Sequence, residues 1–301
     1  MATVIMTSKL AERLMSILRP TIAGPSCPTQ RLSNLLDIIL KPLCTEVPSF
    51  IRDDMDFLHH IPDTVKEDTT LVSFDVTSLY TNIPHTLGLE AISFWLDKHG
   101  NKIEPRFSKD FILQGLDLIL QNNSFFFDDR YFLQIKGTAM GTKVAPTYAG
   151  LVLGFLEEKM HLEIEKKFDT NFANYIKHQW KRYLDDCFIF WDKTDRELKD
   201  FHMLLNQLHE SIKFTIETSE KELPFLDILI IKQNNKISTD LFYKETDSHQ
   251  YLLFNSCHPS HTKRNIPFNL ARRICSIVTN EELRTKRLIE LTTYLQRQTY
   301  N

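Results

Sequence analysis

The chain lacks any apolar run approaching the roughly 18 residues that cross a bilayer, so none of its 301 residues reads as a membrane span. A disulfide framework is missing too. The five cysteines, at positions 27, 44, 187, 257 and 275, form an odd and widely spaced set, as expected of reduced thiols in a nuclear or cytosolic protein. There is no internal repeat and no low-complexity tract. Neither sign of charge dominates: 36 Lys and Arg against 39 Asp and Glu leave a net charge of −3, which alone does not announce a nucleic-acid partner. The Cys257-His258-Pro259-Ser260-His261 stretch, with Cys275 downstream, lacks the paired ligand spacing of zinc fingers. The first twenty residues carry Lys9, Arg13 and Arg19, with Glu12 among them, but no convincing cleavage site, so they read as a helix or a frayed start.

What is present is ordinary in bulk: 42% apolar and 25% charged residues, enough for one to three structural units. Charge is unevenly placed. From Tyr251 to Asn301 there are eight basic and three acidic residues, so a basic end follows an acidic body. Such an end is either a phosphate-binding surface or a solvated helical face of mixed charge.

Periodicity gives a mixture of helices and hairpins. Leu32–Leu40 has helical spacing with Ser33 as a cap, and Leu71–Val76 reads as a short buried strand. Leu87–His99 reads as a helix ending near Gly100, and a second starts at Ser108 or Asp110 and runs to about Leu120. Ser124–Ile135 reads as an aromatic hairpin turning at Asp128-Asp129. Ala145–Lys166 is helical, Trp180–Trp191 is a second hairpin, and Glu197–His209 is an amphipathic helix. Phe214–Thr218, Phe225–Ile231 and Ile237–Tyr243 read as strands, and from Pro267 the pattern is helical to the end. Strands and helices without regular alternation argue for an α+β fold with a largely antiparallel sheet and packed helices. The boundaries expected are 1–70, 71–245 and 246–301.

Three Asp-Asp pairs occur. Asp128-Asp129 suits a hairpin tip, and Asp53-Asp54 sits in a polar, helix-like stretch that reads as a solvated face. Asp185-Asp186 differs, because Trp180, Tyr183 and Leu184 precede it and Cys187-Phe188-Ile189-Phe190-Trp191 follows. Adjacent carboxylates at the edge of a buried hairpin are costly unless a cation or strong donors compensate. Asp75, at the end of the apolar strand Leu71–Val76, is the natural third member. A cluster of acids drawn from separate strands suits two hard divalent cations, the arrangement that nucleotidyl transfer requires. The Gly137–Gly141 loop, leading into the helix at Ala145, lets a backbone approach a ligand closely, but it lacks the Gly-Lys-Ser/Thr ending of a nucleotide P-loop.

At these residues the chain resembles the reverse transcriptases of Penelope-like retroelements, relatives of the telomerase catalytic subunit. The matching stretches are Ser73–Pro84, Gln134–Ala149 (QIKGTAMGTKVAPTYA), Trp180–Trp191 (WKRYLDDCFIFW), Leu223–Ile228 (LPFLDI) and His258–Ser276, with Leu18–Ile22 similar to the fingers segment. The resemblance spans about residues 18–280. It implies a right-hand polymerase palm with partial fingers and a helical C-terminal thumb or helix-turn-helix-like segment. It further implies RNA-directed DNA synthesis from dNTPs on an RNA template with a DNA primer or target, and a pair of Mg²⁺ ions, with Mn²⁺ as a substitute.

The site residues follow from the same resemblance. Asp75, Asp185 and Asp186 would be catalytic, and these acids with the carbonyl of Val76 would face metal. Arg19, Tyr80, Gly137, Met140 and Gly141 would meet the dNTP, Tyr80 by excluding a 2′-OH. Tyr183, Leu223, Pro224, Phe225, Lys263, Arg264, Arg272 and Arg273 would meet primer and template, with Leu223–Asp227 corresponding to the primer-gripping turn. Lys213 or Lys221 would protonate the departing pyrophosphate. Three departures accompany the match. Lys136 stands where relatives often have Gln, residues 1–17 do not resemble the usual Pro-Lys-Ile-His-Lys-like segment, and no GIY-YIG endonuclease follows. A truncated copy that only binds nucleic acid is the alternative these departures suggest.

Overall fold

A computed structural model describes residues 27–127 and 130–300. Leu18–Ile22 with Arg19, and the Asp128-Asp129 tip, lie outside the described residues. The chain divides into two compact units. One contains the described residues up to Phe50, Asp75–Cys187 and Asp195–Thr215; the other contains Ile51–Phe74, Phe188–Thr194 and Ile216 onwards.

The first unit is built on helices. α1 (Gln30–Cys44) precedes the short α3 (Leu79–Asn82), then α4 (His85–His99) and α5 (Lys109–Gln121). The hairpin β2 (Ser124–Phe127) and β3 (Arg130–Leu133) pairs antiparallel, Phe125 opposite Phe132. α6 (Ala145–Lys167), α7 (Thr170–Gln179) and α8 (Asp195–Gln207) complete the helices. α6 is the central helix. Its residues from Leu151 to Glu157 are all buried, as suits a helix covered on most sides. α4 seats on it: Trp95 is fully buried and its indole N–H donates to the Leu151 carbonyl at 2.8 Å. A side chain at Gly88 of α4 would collide with the Tyr148 ring, its Cβ 1.6 Å from the hydroxyl oxygen, so this contact needs glycine.

The second unit holds α2 (Asp54–Leu58), the meander β7 (Glu222–Phe225), β8 (Ile228–Gln233) and β9 (Lys236–Leu241), and the terminal helices α9 (Ser260–Ile277) and α10 (Glu281–Arg297). The meander is antiparallel throughout, with Leu223 opposite Ile230 and Ile230 opposite Thr239. Phe57 of α2 packs on Phe225 at 4.5 Å and edge-on to Phe188 at 5.4 Å. Burying such rings contributes about 1.5–3 kcal/mol each. Asn280 caps α10 by accepting from the Leu283 amide at 2.9 Å.

A four-stranded sheet has the order β4-β5-β1-β6, with β1 at Thr70–Val76, β4 at Lys181–Tyr183, β5 at Asp186–Trp191 and β6 at Phe214–Ser219. Among the described residues no helix is long and apolar enough to cross a membrane.

Several expectations are corrected. Ser33 is no cap: the helix begins at Gln30, and the buried Ser33 hydroxyl accepts from the Val144 amide at 3.0 Å. Asp53-Asp54 is not a bare solvated face, since Asp53 caps α2 through the Asp56 amide at 2.8 Å and Asp54 pairs with Arg273. The single strand expected over Phe225–Ile231 is broken by a turn at Leu226-Asp227, with Leu226 at φ +55°. The terminal helical pattern starts earlier, at Ser260, with Pro267 inside α9, and is interrupted between Ile277 and Glu281. α7 has no counterpart among the elements expected from periodicity. Ser108 does cap α5, accepting from the Phe111 amide at 3.2 Å.

Candidate active site

The acids are brought together at the ends of neighbouring strands. Asp75 is the penultimate residue of β1 and is exposed; Asp185 and Asp186 stand half-buried at the β4–β5 turn. β1 and β5 are adjacent in the sheet. The Val76 amide donates to the Asp185 carbonyl at 3.2 Å, which fixes the two strand ends side by side. On the other side of β1, the Thr77 amide donates to the Lys213 carbonyl at 2.8 Å and the Thr215 hydroxyl to the Asp75 carbonyl at 3.3 Å. The turn itself is unusual: Leu184 has φ +52°, in the left-handed region that a bulky residue enters at a cost of about 1–3 kcal/mol.

Tyr80 lies on α3, which follows the acid strand after Ser78 at φ +50°. Its phenol is pushed up to about 12 by burial first, then by the negative charge of Asp185 and by Tyr183. At neutral pH it is therefore a protonated donor beside a carboxylate. Asp186 and Asp185 also help hold the buried Cys187 thiol far above its ordinary range, after the larger effect of burial and against the lowering effect of Arg182.

The glycine loop is clasped to Tyr80. Thr138 donates its amide to the Tyr80 carbonyl at 2.6 Å and Gly137 donates to the Ile83 carbonyl at 3.0 Å. The His85 ring nitrogen Nε2 is 2.9 Å from the Gly137 carbonyl. Gly137 sits at φ +75°, and a Cβ there would lie 2.3 Å from the Tyr80 carbonyl oxygen. Met140 and Gly141 continue the loop, half-buried, into α6.

The donors suit a hard cation. Asp75 and Asp185 offer carboxylate oxygens on adjacent strand ends, and the exposure of Asp75 leaves one side open to solvent. Among the described residues no group of three or more His, Cys, Asp or Glu encloses a metal by itself. Mg²⁺ commonly takes one or two carboxylates and completes its shell with water and substrate phosphates, so this partial donor set fits.

The remaining expected residues fall in two places. Tyr183 ends β4, half-buried beside the acids. Leu223, Pro224 and Phe225 form β7 of the second unit, leading into the Leu226-Asp227 turn. There Arg273 is tied to Asp54 at 3.1 Å and to Asp227, and Lys263 donates to the Ser256 carbonyl at 3.0 Å. Arg264 and Arg272 are exposed on α9, with Phe268 (65% exposed) between them at helical spacing. Of the two lysines, Lys213 spends its ammonium on the Asn206 and His209 carbonyls, at 2.7 and 3.4 Å; Lys221 belongs to the second unit.

Sequence reasoning missed the polar residues beneath the acid turn, Ser49, Glu157, Trp180 and Arg182. A signal existed: Glu157 falls on the same helical register as Leu153, Met160 and Ile164, a buried stripe where a lone carboxylate demands a partner.

The mixed α+β architecture, with its four-stranded sheet and packed helices, is a polymerase-like fold. The family described as "Reverse transcriptase (RNA-dependent DNA polymerase)" matches residues 7–221, and the chain belongs to it. A second family, the "Animal helix-turn-helix domain", matches residues 250–301. No curated protein matches significantly. Telomerase from Candida albicans, in complex with a fragment of telomeric RNA, aligns with a TM-score of 0.60 at 11% identity, covering 89% of this chain and 49% of that one. The BmCPV RNA-dependent RNA polymerase at its elongation state gives 0.54 at 14%, covering 87% and 25%. Apo telomerase from Candida tropicalis, truncated from its C-terminal domain, gives 0.51 at 13%, covering 79% and 49%. These likenesses show a shared fold, and the chain spans half or less of each of those proteins.

Proposed function

We propose that the chain is the RNA-directed DNA polymerase of a Penelope-like retroelement, transferring deoxynucleotides to a primer 3′-OH on an RNA template. The observation that carries the reading is the Val76–Asp185 hydrogen bond, which sets Asp75 beside Asp185 inside the span that matches the reverse transcriptase family. Asp75 and Asp185, with Asp186 next to them and the Val76 carbonyl close by, would hold two Mg²⁺ ions. When bound, these supply the positive charge that acidifies the primer hydroxyl and neutralises the triphosphate and leaving pyrophosphate.

The protein's own contribution is positioning. Tyr80 forms a floor for the incoming sugar, where its ring leaves no space for a 2′-OH. The Gly137–Gly141 loop, held against the Tyr80 backbone, borders the nascent base pair. Leu223–Phe225 grips the primer. Residues 246–301 act as thumb or helix-turn-helix segment, and α9 meets the nucleic-acid backbone through Arg264 and Arg272. Binding through phosphates weakens steeply with salt.

The test is primer extension on an RNA template with deoxynucleotides and Mg²⁺, beside Asp75→Ala. Extension by the native chain and its loss in the variant is the expected result; equal extension by both would refute the assignment.

A further inference from the structure

Asp185 is bracketed by two pinned peptide groups. The one after it is fixed by the Val76 amide, 3.2 Å from the Asp185 carbonyl. The one before it carries the Leu184 carbonyl, which accepts from Arg182 Nη1 at 3.0 Å. Both dihedrals of Asp185 are thus constrained from outside its side chain, at a turn whose preceding residue stands in the left-handed region.

Arg182 can act as this anchor because it is itself immobilised. It is 2% exposed. Its Nε donates to Glu157 Oε1 at 2.7 Å, and its Nη2 to the Gly150 carbonyl at 3.0 Å and to Glu157 Oε2 at 3.4 Å. Glu157 accepts further bonds from Ser49 Oγ at 2.6 Å and Trp180 Nε1 at 2.9 Å. The Arg182 main chain is also held, its amide donating to the Ser49 carbonyl at 2.7 Å. Burial by itself would raise the Glu157 carboxyl, but the charge of Arg182 and the bonds from Arg182, Ser49 and Trp180 outweigh it and keep the group below its usual range. The pair is thus ionised, and both oxygens of the carboxylate are engaged.

A buried ion pair is a poor device for stability alone, because apolar residues of similar volume often serve as well or better. What an apolar pair cannot do is donate to the Leu184 carbonyl. We infer that the Arg182–Glu157 pair is a positioning device for the Asp185-Asp186 turn, setting the geometry in which these carboxylates hold divalent cations. A guanidinium is suited to this because its planar fork donates from three separate nitrogens, making four bonds to the Glu157, Gly150 and Leu184 acceptors, whereas an ammonium has three donors that all radiate from one nitrogen. This inference rests on the polymerase reading above.

The decisive variant is Glu157→Leu/Arg182→Met, which removes the pair without leaving a buried unpaired charge; Arg182→Lys is its conservative companion. Three readouts on the full-length chain separate the possibilities: Mn²⁺ binding followed by electron paramagnetic resonance, amide hydrogen exchange of residues 183–187, and primer extension. Both variants are expected to remain folded. Their Mn²⁺ affinity should fall by about 10- to 100-fold, the usual scale for removing a group that orients a ligand. Exchange at the turn should quicken, and kcat should fall with little change in the KM for dNTP. A stably folded double variant with native Mn²⁺ affinity and native exchange at the turn would overturn the inference. If the native chain neither binds Mn²⁺ nor extends a primer, the polymerase reading and the metal-positioning role fall together. Hydrogen exchange then reports separately whether the pair holds the turn: faster exchange in the variants keeps that part, and unchanged exchange removes it.

Discussion

The amide of Val76 and the carbonyl of Asp185, 3.2 Å apart, join two strand ends whose sequences lie more than a hundred residues from each other. Asp75 immediately precedes one end and Asp186 immediately follows the other, so this backbone hydrogen bond ties the two acidic strand ends together. The bond closes a long-range contact whose loop entropy must be offset by the surrounding core. That core is the buried apolar content of β1 and β5, in which Leu71, Val72, Phe74, Cys187, Phe188 and Ile189 are at most 1% exposed.

Tyr80→Ala should relax sugar selection. Removing the ring opens space beside the incoming ribose, and the ratio of deoxyribonucleotide to ribonucleotide incorporation should fall by about 10- to 200-fold, the range that one pocket side chain controls. Competitive incorporation measured on one template checks it. An unchanged ratio would take the tyrosine out of this role.

Gly137→Ala should destabilise the chain or misplace the loop. The residue is at φ +75° and the new Cβ would lie 2.3 Å from the Tyr80 carbonyl oxygen, so a cost of about 1–3 kcal/mol is expected. Gly100→Ala is the control: it has φ −60°, and no atom lies within 4 Å of where its methyl group would stand. Its effect should stay within about 0.5 kcal/mol. Denaturant unfolding of the two variants side by side makes the comparison.

Arg264 and Arg272 should behave differently from Arg273. Replacing both exposed arginines by Ala should weaken nucleic-acid binding and lower the salt slope by about 1 for each phosphate left without its arginine. Arg273→Ala instead strips partners from Asp54 and Asp227, so its main effect should be on thermal stability. Titrations at several salt concentrations, with melting curves, separate the two classes.

Stability should decline as pH rises through alkaline values. Burial, opposed by the charge of Arg182, moves the Cys44 thiol from 9.0 to about 11. A raised value means that the folded state keeps its proton while the unfolded chain releases it, so the contribution is complete below pH 9 and is lost as pH rises towards 11. A rise of this size corresponds to about 3 kcal/mol. Urea unfolding between pH 8 and 11 should show the fall, to which the buried Cys187 thiol and the raised phenols of Tyr80 and Tyr243 also contribute; Cys44→Ala should make the slope shallower by its own share, and an unchanged slope in the variant would show that the other groups cause all of it.

Much of the site was legible because its elements are short, apolar and punctuated. An acid ending the apolar strand at Asp75 and a paired acid inside the aromatic hairpin at Asp185-Asp186 are local patterns, and since like charges repel, their meeting is expected only where cations or strong donors compensate. Other features depend on contacts that local pattern does not carry. The turn at Leu226 was hidden from periodicity, because the residue adopting the left-handed conformation is neither Gly nor Asn and Phe225–Ile231 reads as one strand; only the resemblance implied a turn over Leu223–Asp227. The start of α9 was hidden because Pro267, a usual boundary signal, lies inside the helix. Thr170–Gln179 did carry a helical signal that went unread, with Phe172, Tyr175 and Ile176 at i, i+3 and i+4 and Asp169 as its cap, accepting from the Phe172 amide at 2.7 Å. Arg182 and Glu157 were each visible as charges, but their pairing across 25 positions depends on the seating of α6 under the hairpin.

The most direct measurement is primer extension on an RNA template with deoxynucleotides and Mg²⁺, comparing the native chain with Asp185→Ala/Asp186→Ala. Native extension with a loss of about 10³-fold or more in the variant is expected, the scale for removing groups that stabilise developing charge. Equal extension by both proteins would contradict a site built on the acids of the β4–β5 turn.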